Sequence, residues 1–206
     1  MNIGIIGSGN IGGTLGTLWA KAGHSVLFSS RHPEQLEALA RDAGNGAQTG
    51  TQDEAAGFGE VVLLAIPWRE RATLPVADRF AGKIAIDAMN PYSATGQVTD
   101  LGKSTSSEEV AKQLPGAQVV KAFNTIHWRR LRDEGRPDDG QRLAVFVAGD
   151  DADAKAVVSR LIEEIGFAPV DTGSLREGGR RQQPGSAIYN VPLTAEQARQ
   201  ILTMDR

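Results

Sequence analysis

MNIGIIGSGNIGGTLGTLWAKAGHSVLFSSR, residues 1–31, is the stretch from which the rest of the chain can be read. Ile3 to Ile6 is a short apolar run with β-branched side chains, which predicts a buried strand. It runs into Gly7-Ser8-Gly9-Asn10-Ile11-Gly12, a G-x-G-x-x-G. Leu15, Leu18, Trp19 and Ala22 then recur at helical spacing up to Gly23, a helix stop, and Ser25 to Phe28 is a second apolar run. Alone, such a glycine pattern says little. Between a strand and a helix, with a second strand on cue, it predicts a dinucleotide-binding turn. Gly7 permits the tight turn, Gly9 lets the backbone approach a pyrophosphate, and Gly12 lets the helix pack close to the sheet. The free N–H groups at the helix start then face the anion, aided by the helix dipole.

The end of the second strand chooses between dinucleotides. A site for NAD places Asp or Glu about 20 residues past the glycines, where it accepts from the ribose hydroxyls. Here Ser29-Ser30-Arg31-His32 stand in that place, and the first carboxylate is Glu34. Hydroxyls and a guanidinium bind a 2′-phosphate that a carboxylate would repel, so NADP(H) is expected over NAD. In the competing reading Ser29 and Ser30 cap a helix of Glu34 to Arg41, with Pro33 as its first residue and Arg31 solvated.

With 206 residues, the chain suits one α/β domain and a small appendage, and 40% hydrophobic with 23% charged residues is ordinary for a soluble globular protein. A formal net charge of -3 gives no reason to expect nucleic acid. The absence of cysteine excludes disulfides, thiol nucleophiles and thiolate metal sites. His24, His32 and His127 show no ligand spacing, so no metal is expected. The apolar start is short and has no basic region before it, which reads as a strand rather than a signal peptide. No apolar run approaches bilayer length. A cytoplasmic enzyme without membrane partners is the expectation.

Beyond Arg31 the pattern alternates. Glu34 to Asp42 reads as a helix, Thr51 with Glu54 as a capping box opening another, and Glu60 to Ile66 as a central strand apolar on both faces. Pro67 starts a helix, Lys83 to Asp87 is a strand, Ser107 to Leu114 a helix and Ala117 to Phe123 a strand. Leu131 to Arg142 shifts to charge, Gly and Pro and reads as an exposed loop. Leu143 to Gly149 is a strand, Asp150 to Glu164 an amphipathic helix, and Phe167 to Val170 ends the regular pattern. Residues 174–206 read as an irregular tail with a last helix opened by a Thr194–Gln197 capping box. Strand and helix in alternation imply an α/β fold, a doubly wound and mainly parallel sheet over residues 1–206.

Such sheets bind ligands at the carboxyl ends of their strands. The loops there are Gly7 to Gly12, Ser29 to His32, Ile66-Pro67-Trp68 with Ala65 before them, Met89-Asn90-Pro91 and Asn124-Thr125-Ile126-His127, and they are expected to line one crevice.

Several short motifs, in their order and spacing, resemble the coenzyme F420-dependent NADP oxidoreductases. They are Gly-Ser-Gly-Asn-Ile-Gly at 7–12, Ser30-Arg31, Ile66-Pro67-Trp68, Phe123-Asn124-Thr125-Ile126, Gly149-Asp150-Asp151 and Asp171-Thr172-Gly173-Ser174-Leu175. The cytoplasmic reductase domains of membrane-bound ferric reductases look similar. The resemblance implies NADPH across the crevice, its nicotinamide near Ile66-Pro67-Trp68 and a deazaflavin stacked against it to exchange hydride. It further implies that Ser30 and Arg31 hold the 2′-phosphate, and that Asn90, Asn124 and Thr125 lie near the nicotinamide and the acceptor. The Arg-, Gln- and Gly-rich tail departs from the family, which leaves the acceptor and the contact of a homodimer open. A flavin, a quinone or ferric iron is the alternative acceptor. A non-catalytic NADP(H)-binding redox sensor is the third reading: it gains from a crevice filled by side chains such as Tyr189 and loses from an open apolar slot.

Hydride transfer between two rings needs stacking and exclusion of water more than acid–base groups. The catalytic candidates are Asn124, Thr125 and His127, each set against a plain role: turn chemistry for the first two, helix initiation for His127. Trp68 walls the nicotinamide pocket or covers the sheet edge. Arg129, Arg130, Arg132, Arg180 and Arg181 attract an anionic acceptor or form solvated faces. His24 reads as structural.

Overall fold

The structure, a computed structural model, describes residues 1–136 and 140–204. β1 (Asn2–Ile6), α1 (Asn10–Lys21) and β2 (Ser25–Ser29) form the opening unit as the spacing predicts. A 3-10 turn at Pro33–Leu36 leads into α2 (Glu37–Ala43), followed by β3 (Gln48–Gly50), α3 (Gln52–Phe58) and β4 (Val61–Leu64). β5 (Ile84–Asp87), α4 (Ser106–Gln113), β6 (Gln118–Ala122) and α5 (Trp128–Asp133) come next. β7 (Ala144–Gly149), α6 (Ala152–Glu164), β8 (Ala168–Gly173), α7 (Glu177–Arg181) and α8 (Ala195–Met204) complete the described chain.

The strands form one eight-stranded sheet in the order β3-β2-β1-β4-β5-β6-β7-β8. Neighbours run parallel except β6 and β7, which are antiparallel. Every residue of β4 is buried, because helices cover both faces of the central strands. Leu15 and Trp19 of α1, Ala40 and Ala43 of α2, and Val158 and Leu161 of α6 pack with one face. Ala55 and Ala56 of α3 and Val110 of α4 pack with the other. Ala198 and Leu202 of α8 cover Phe146 of β7 and Val170 of β8.

Several elements differ from the sequence expectation. β3 carries no apolar pattern and exists because Leu27 to Ser29 of β2 offer it a ladder. The residues after Pro67 form a 3-10 turn, Trp68–Thr73, rather than an α-helix. Leu131 belongs to α5 and is fully buried, so the charged loop begins later; its residues 137–139 lie outside the described chain. The tail is less irregular than expected, for α7 lies within it. The Thr51–Glu54 and Thr194–Gln197 capping boxes both form, each with reciprocal bonds to the backbone. A third, Thr105–Glu108, opens α4. Among the described residues no helix is long and apolar enough to cross a membrane.

Candidate functional site

The turn after β1 owes its shape to glycine in two places and not in a third. Gly7 has φ +93°, and a Cβ there would meet the Ala65 carbonyl oxygen and the Ile66 side chain at 2.8 Å. A Cβ on Gly12 would drive into the Gly7 carbonyl. Gly9 is different: a Cβ there meets nothing within 4 Å. It is also the N-cap of α1, offers no side-chain cap, and no acidic residue stands in the first turn. The first amides of α1 are therefore left to solvent or a ligand.

Ser8 ties this loop to β2 through its hydroxyl, which donates to the Ser29 carbonyl at 3.1 Å. The Ser29 hydroxyl itself is fully buried and donates to the Ile5 carbonyl at 2.7 Å. Its expected side-chain contact with a cofactor is thus corrected, since the group is spent inside the sheet. Neither serine caps the following turn, whose N-cap is His32 without a side-chain bond. Ser30 instead accepts from the His32 amide at 2.9 Å. Arg31 is exposed and pairs with no carboxylate among the described residues.

At the end of β4, Trp68 is only 5% exposed and packs with Ile66 and Leu74. The Arg71 guanidinium lies 3.6 Å from its ring centroid.

The ends of β5 and β6 meet through reciprocal amides. Asn90 Nδ2 donates to the Asn124 carbonyl at 2.9 Å, and Asn124 Nδ2 donates to Asn90 Oδ1 at 3.0 Å. Phe123, fully buried, holds φ +66°, an uncommon conformation for a bulky side chain that turns the chain out of β6 into Asn124 and Thr125. Asn124 Oδ1 and Thr125 Oγ1 are buried and have no partner among the described residues. Met89 and Pro91 are buried beside them.

The tail closes this end. Asn124 Nδ2 donates to the Gln182 carbonyl at 2.7 Å. The Tyr189 hydroxyl takes bonds from Asn90 Nδ2 and from the Tyr92 hydroxyl, each at 3.2 Å. Burial first, and the Tyr92 bond second, push the Tyr189 phenol above its ordinary value. Tyr189 thus stands in the crevice beside Asn90. Neither Gln182 nor Tyr92 is singled out by the sequence, since a glutamine between glycine runs reads as loop.

His127 is exposed and accepts from the Arg129 amide at 3.3 Å, which makes it the N-cap of α5. Arg130 pairs with Glu134 and Arg132 with Asp133, each at 2.7 Å, so these arginines do not form the free cationic patch that the sequence suggests. Instead Arg132 and Trp128 border a groove of about 450 Å³ that opens beside Ser8, Gly9 and Asn10. A cleft of about 1290 Å³ lies elsewhere, between α7 and α8, and is bordered by Arg180, Arg181 and Arg199. The carboxyl end of β8 borders it at Thr172 and Gly173, but none of the five loops expected to line the dinucleotide crevice does.

A doubly wound sheet whose first turn carries this glycine cradle defines the class: the NAD(P)-binding Rossmann fold. Residues 2–91 match the family described as NADP oxidoreductase, coenzyme F420-dependent. A solved structure of a hypothetical protein from Sinorhizobium meliloti is 32% identical, covers 94% of this chain and 95% of its own, and superposes with a TM-score of 0.80. A proposed F420 dependent NADP-reductase from Arthrobacter sp. FB24 is 26% identical, with coverages of 94% and 99% and a TM-score of 0.77. The metalloreductase STEAP3 of Rattus norvegicus is 36% identical over 174 residues, 84% of this chain and 34% of that protein. The chain spans about a third of the length of the curated relatives it first matches, 34% and 36%.

Proposed function

We propose that this chain binds NADPH along the carboxyl ends of β1, β2, β4, β5 and β6 and serves hydride transfer to an acceptor cofactor of the coenzyme F420 type. The observation that carries this reading is Gly9. The fold demands glycine at 7 and 12, but it leaves open space at 9, beside uncapped helix amides, where a pyrophosphate would need the backbone bare.

NADPH bound there supplies a hydride from its nicotinamide ring. The first-turn amides of α1 bind the pyrophosphate, and Ser30 with Arg31, which has no carboxylate partner among the described residues, binds the 2′-phosphate. Asn124 Oδ1, a buried acceptor without a protein partner, suits a carboxamide N–H at the nicotinamide end. Ile66 and Pro67 form the edge of the slot against water. No side chain is asked to carry a proton, and the cap role of His127 agrees with that.

A second reading, in which the acceptor is a flavin or ferric iron, is favoured by the likeness to the metalloreductase STEAP3. Tyr189 beside Asn90 is the observation that favours the third, a redox sensor. One experiment separates them: NADPH oxidation by the purified chain with oxidised deazaflavin, FMN or ferric iron offered in turn. Fast turnover with the deazaflavin alone supports the first reading. Turnover with FMN or iron instead moves the chain to the second. Tight NADPH binding with no turnover leaves the sensor.

A further inference from the structure

Asp87 ends β5, and its partner in the sheet register is Lys121 of β6, so the two side chains share one face of the sheet. Both are fully buried, with Lys121 Nζ 3.4 Å from Asp87 Oδ2. What each does next is more telling. Asp87 Oδ1 accepts the Met89 amide at 3.0 Å, and Lys121 Nζ donates to the Met89 carbonyl at 3.1 Å. The N–H and the C=O of one residue are therefore held by the opposite poles of one buried ion pair. The remaining capacity of the pair goes to the first turn of α4: the Ser107 hydroxyl donates to Asp87 Oδ2 at 2.5 Å, and Lys121 Nζ donates to Ser106 Oγ at 3.2 Å.

A buried ion pair is a poor source of stability compared with apolar side chains of the same volume. An apolar pair here would leave the buried Met89 amide and carbonyl without partners. The residue after Met89 is Asn90, whose amide group meets Asn124 and Tyr189.

We propose that Lys121 and Asp87 are a positioning pair: by clamping both backbone groups of Met89 they set the Asn90 amide at the nicotinamide end of the crevice. This rests on the NADPH reading above. Neither residue is catalytic, for both are fully buried and bond to Met89, Ser106 and Ser107.

The test compares wild type, D87N and the doubly neutral K121M/D87N for affinity toward NADPH and toward 2′-phospho-ADP-ribose, which has the adenosine half and no nicotinamide. Thermal midpoints are measured alongside. D87N keeps an acceptor for the Met89 amide and leaves the Lys121 donor in place; its unpaired buried ammonium should lower the thermal midpoint, while the ratio of the two affinities should stay within about twofold of wild type. K121M/D87N leaves no buried charge but removes the donor to the Met89 carbonyl. It should hold the fragment like wild type and bind NADPH about tenfold more weakly, a split that general destabilisation would not produce. A double variant that keeps the wild-type ratio overturns the positioning role, as does a D87N variant that loses the ratio. A wild type that binds neither ligand overturns the NADPH reading and this proposal with it, and is thereby distinct from the first two outcomes.

Discussion

The indole N–H of Trp19 on α1 donates to the Leu161 carbonyl on α6 at 3.0 Å, joining two helices on the same face of the sheet across 142 residues of chain. Trp19 is fully buried and meets the Phe123 ring edge-on, with centroids 5.7 Å apart. Trp19→Phe keeps most of the apolar contact and loses the donor, so it should cost about 1–2 kcal/mol. Trp19→Ala leaves a cavity and should cost about 3–5 kcal/mol. Urea unfolding at unchanged slope measures both.

The glycine cradle separates folding from binding. Gly9→Val places its side chain in open space, so the thermal midpoint should hold while affinity for NADPH and NADH alike falls by a factor of about 100 or more. Gly12→Ala drives a methyl into the Gly7 carbonyl and should lower the midpoint itself. Calorimetry and dinucleotide titration on the pair distinguish the two roles; equal affinity in Gly9→Val would make the loop purely structural.

Arg31 is exposed and has no carboxylate partner among the described residues, so replacing it leaves the fold undisturbed. Arg31→Glu sets a negative charge against a 2′-phosphate and should weaken NADPH by a factor of about 100, with NADH changed far less. Titration of both nucleotides checks the difference, and an equal loss of the two would remove Arg31 from the phosphate site.

The Glu54 carboxylate accepts first the Thr51 amide and then its hydroxyl, which holds its pKa below the ordinary 4.5. A group whose folded value is depressed adds stability above its unfolded value and loses it as pH falls through the folded one. The thermal midpoint of the wild type should therefore decline as pH drops below about 4.5 more steeply than that of Glu54→Gln, which keeps the acceptor without the charge. Melting curves between neutral and acid pH measure the two slopes.

The opening unit was legible because its periodicities are long and its glycines fall where a strand must become a helix. β3 was not, since Gln48 and Thr49 have no apolar alternation and pair only because β2 is already in place. The tail misled for a related reason. Gly178 and Gly179 fall in a tail that reads as irregular, yet they let α7 lie close to Thr172, Ala148 and Thr105. Asn90 and Asn124 came from topology, as strand-end loops, and from the family resemblance. Their supports did not: Lys121 sits in a strand and Asp87 ends another, 34 residues apart, and only the register joins them. A faint signal was present, opposite charges in two neighbouring apolar strands. The Arg71 guanidinium over the Trp68 ring is a contact that spacing alone does not reveal.

β7 runs against β6, and β8 follows β7. The row of strand-end loops stops at β6, and the wall opposite Asn90 and Asn124 is supplied by Gln182 and Tyr189, which belong to no strand. Such a crevice has two authors in one gene. Substitutions along 182–193 can reshape the wall while β1, α1 and the glycine turn stay as they are, so divergence among descendants of this chain should concentrate there.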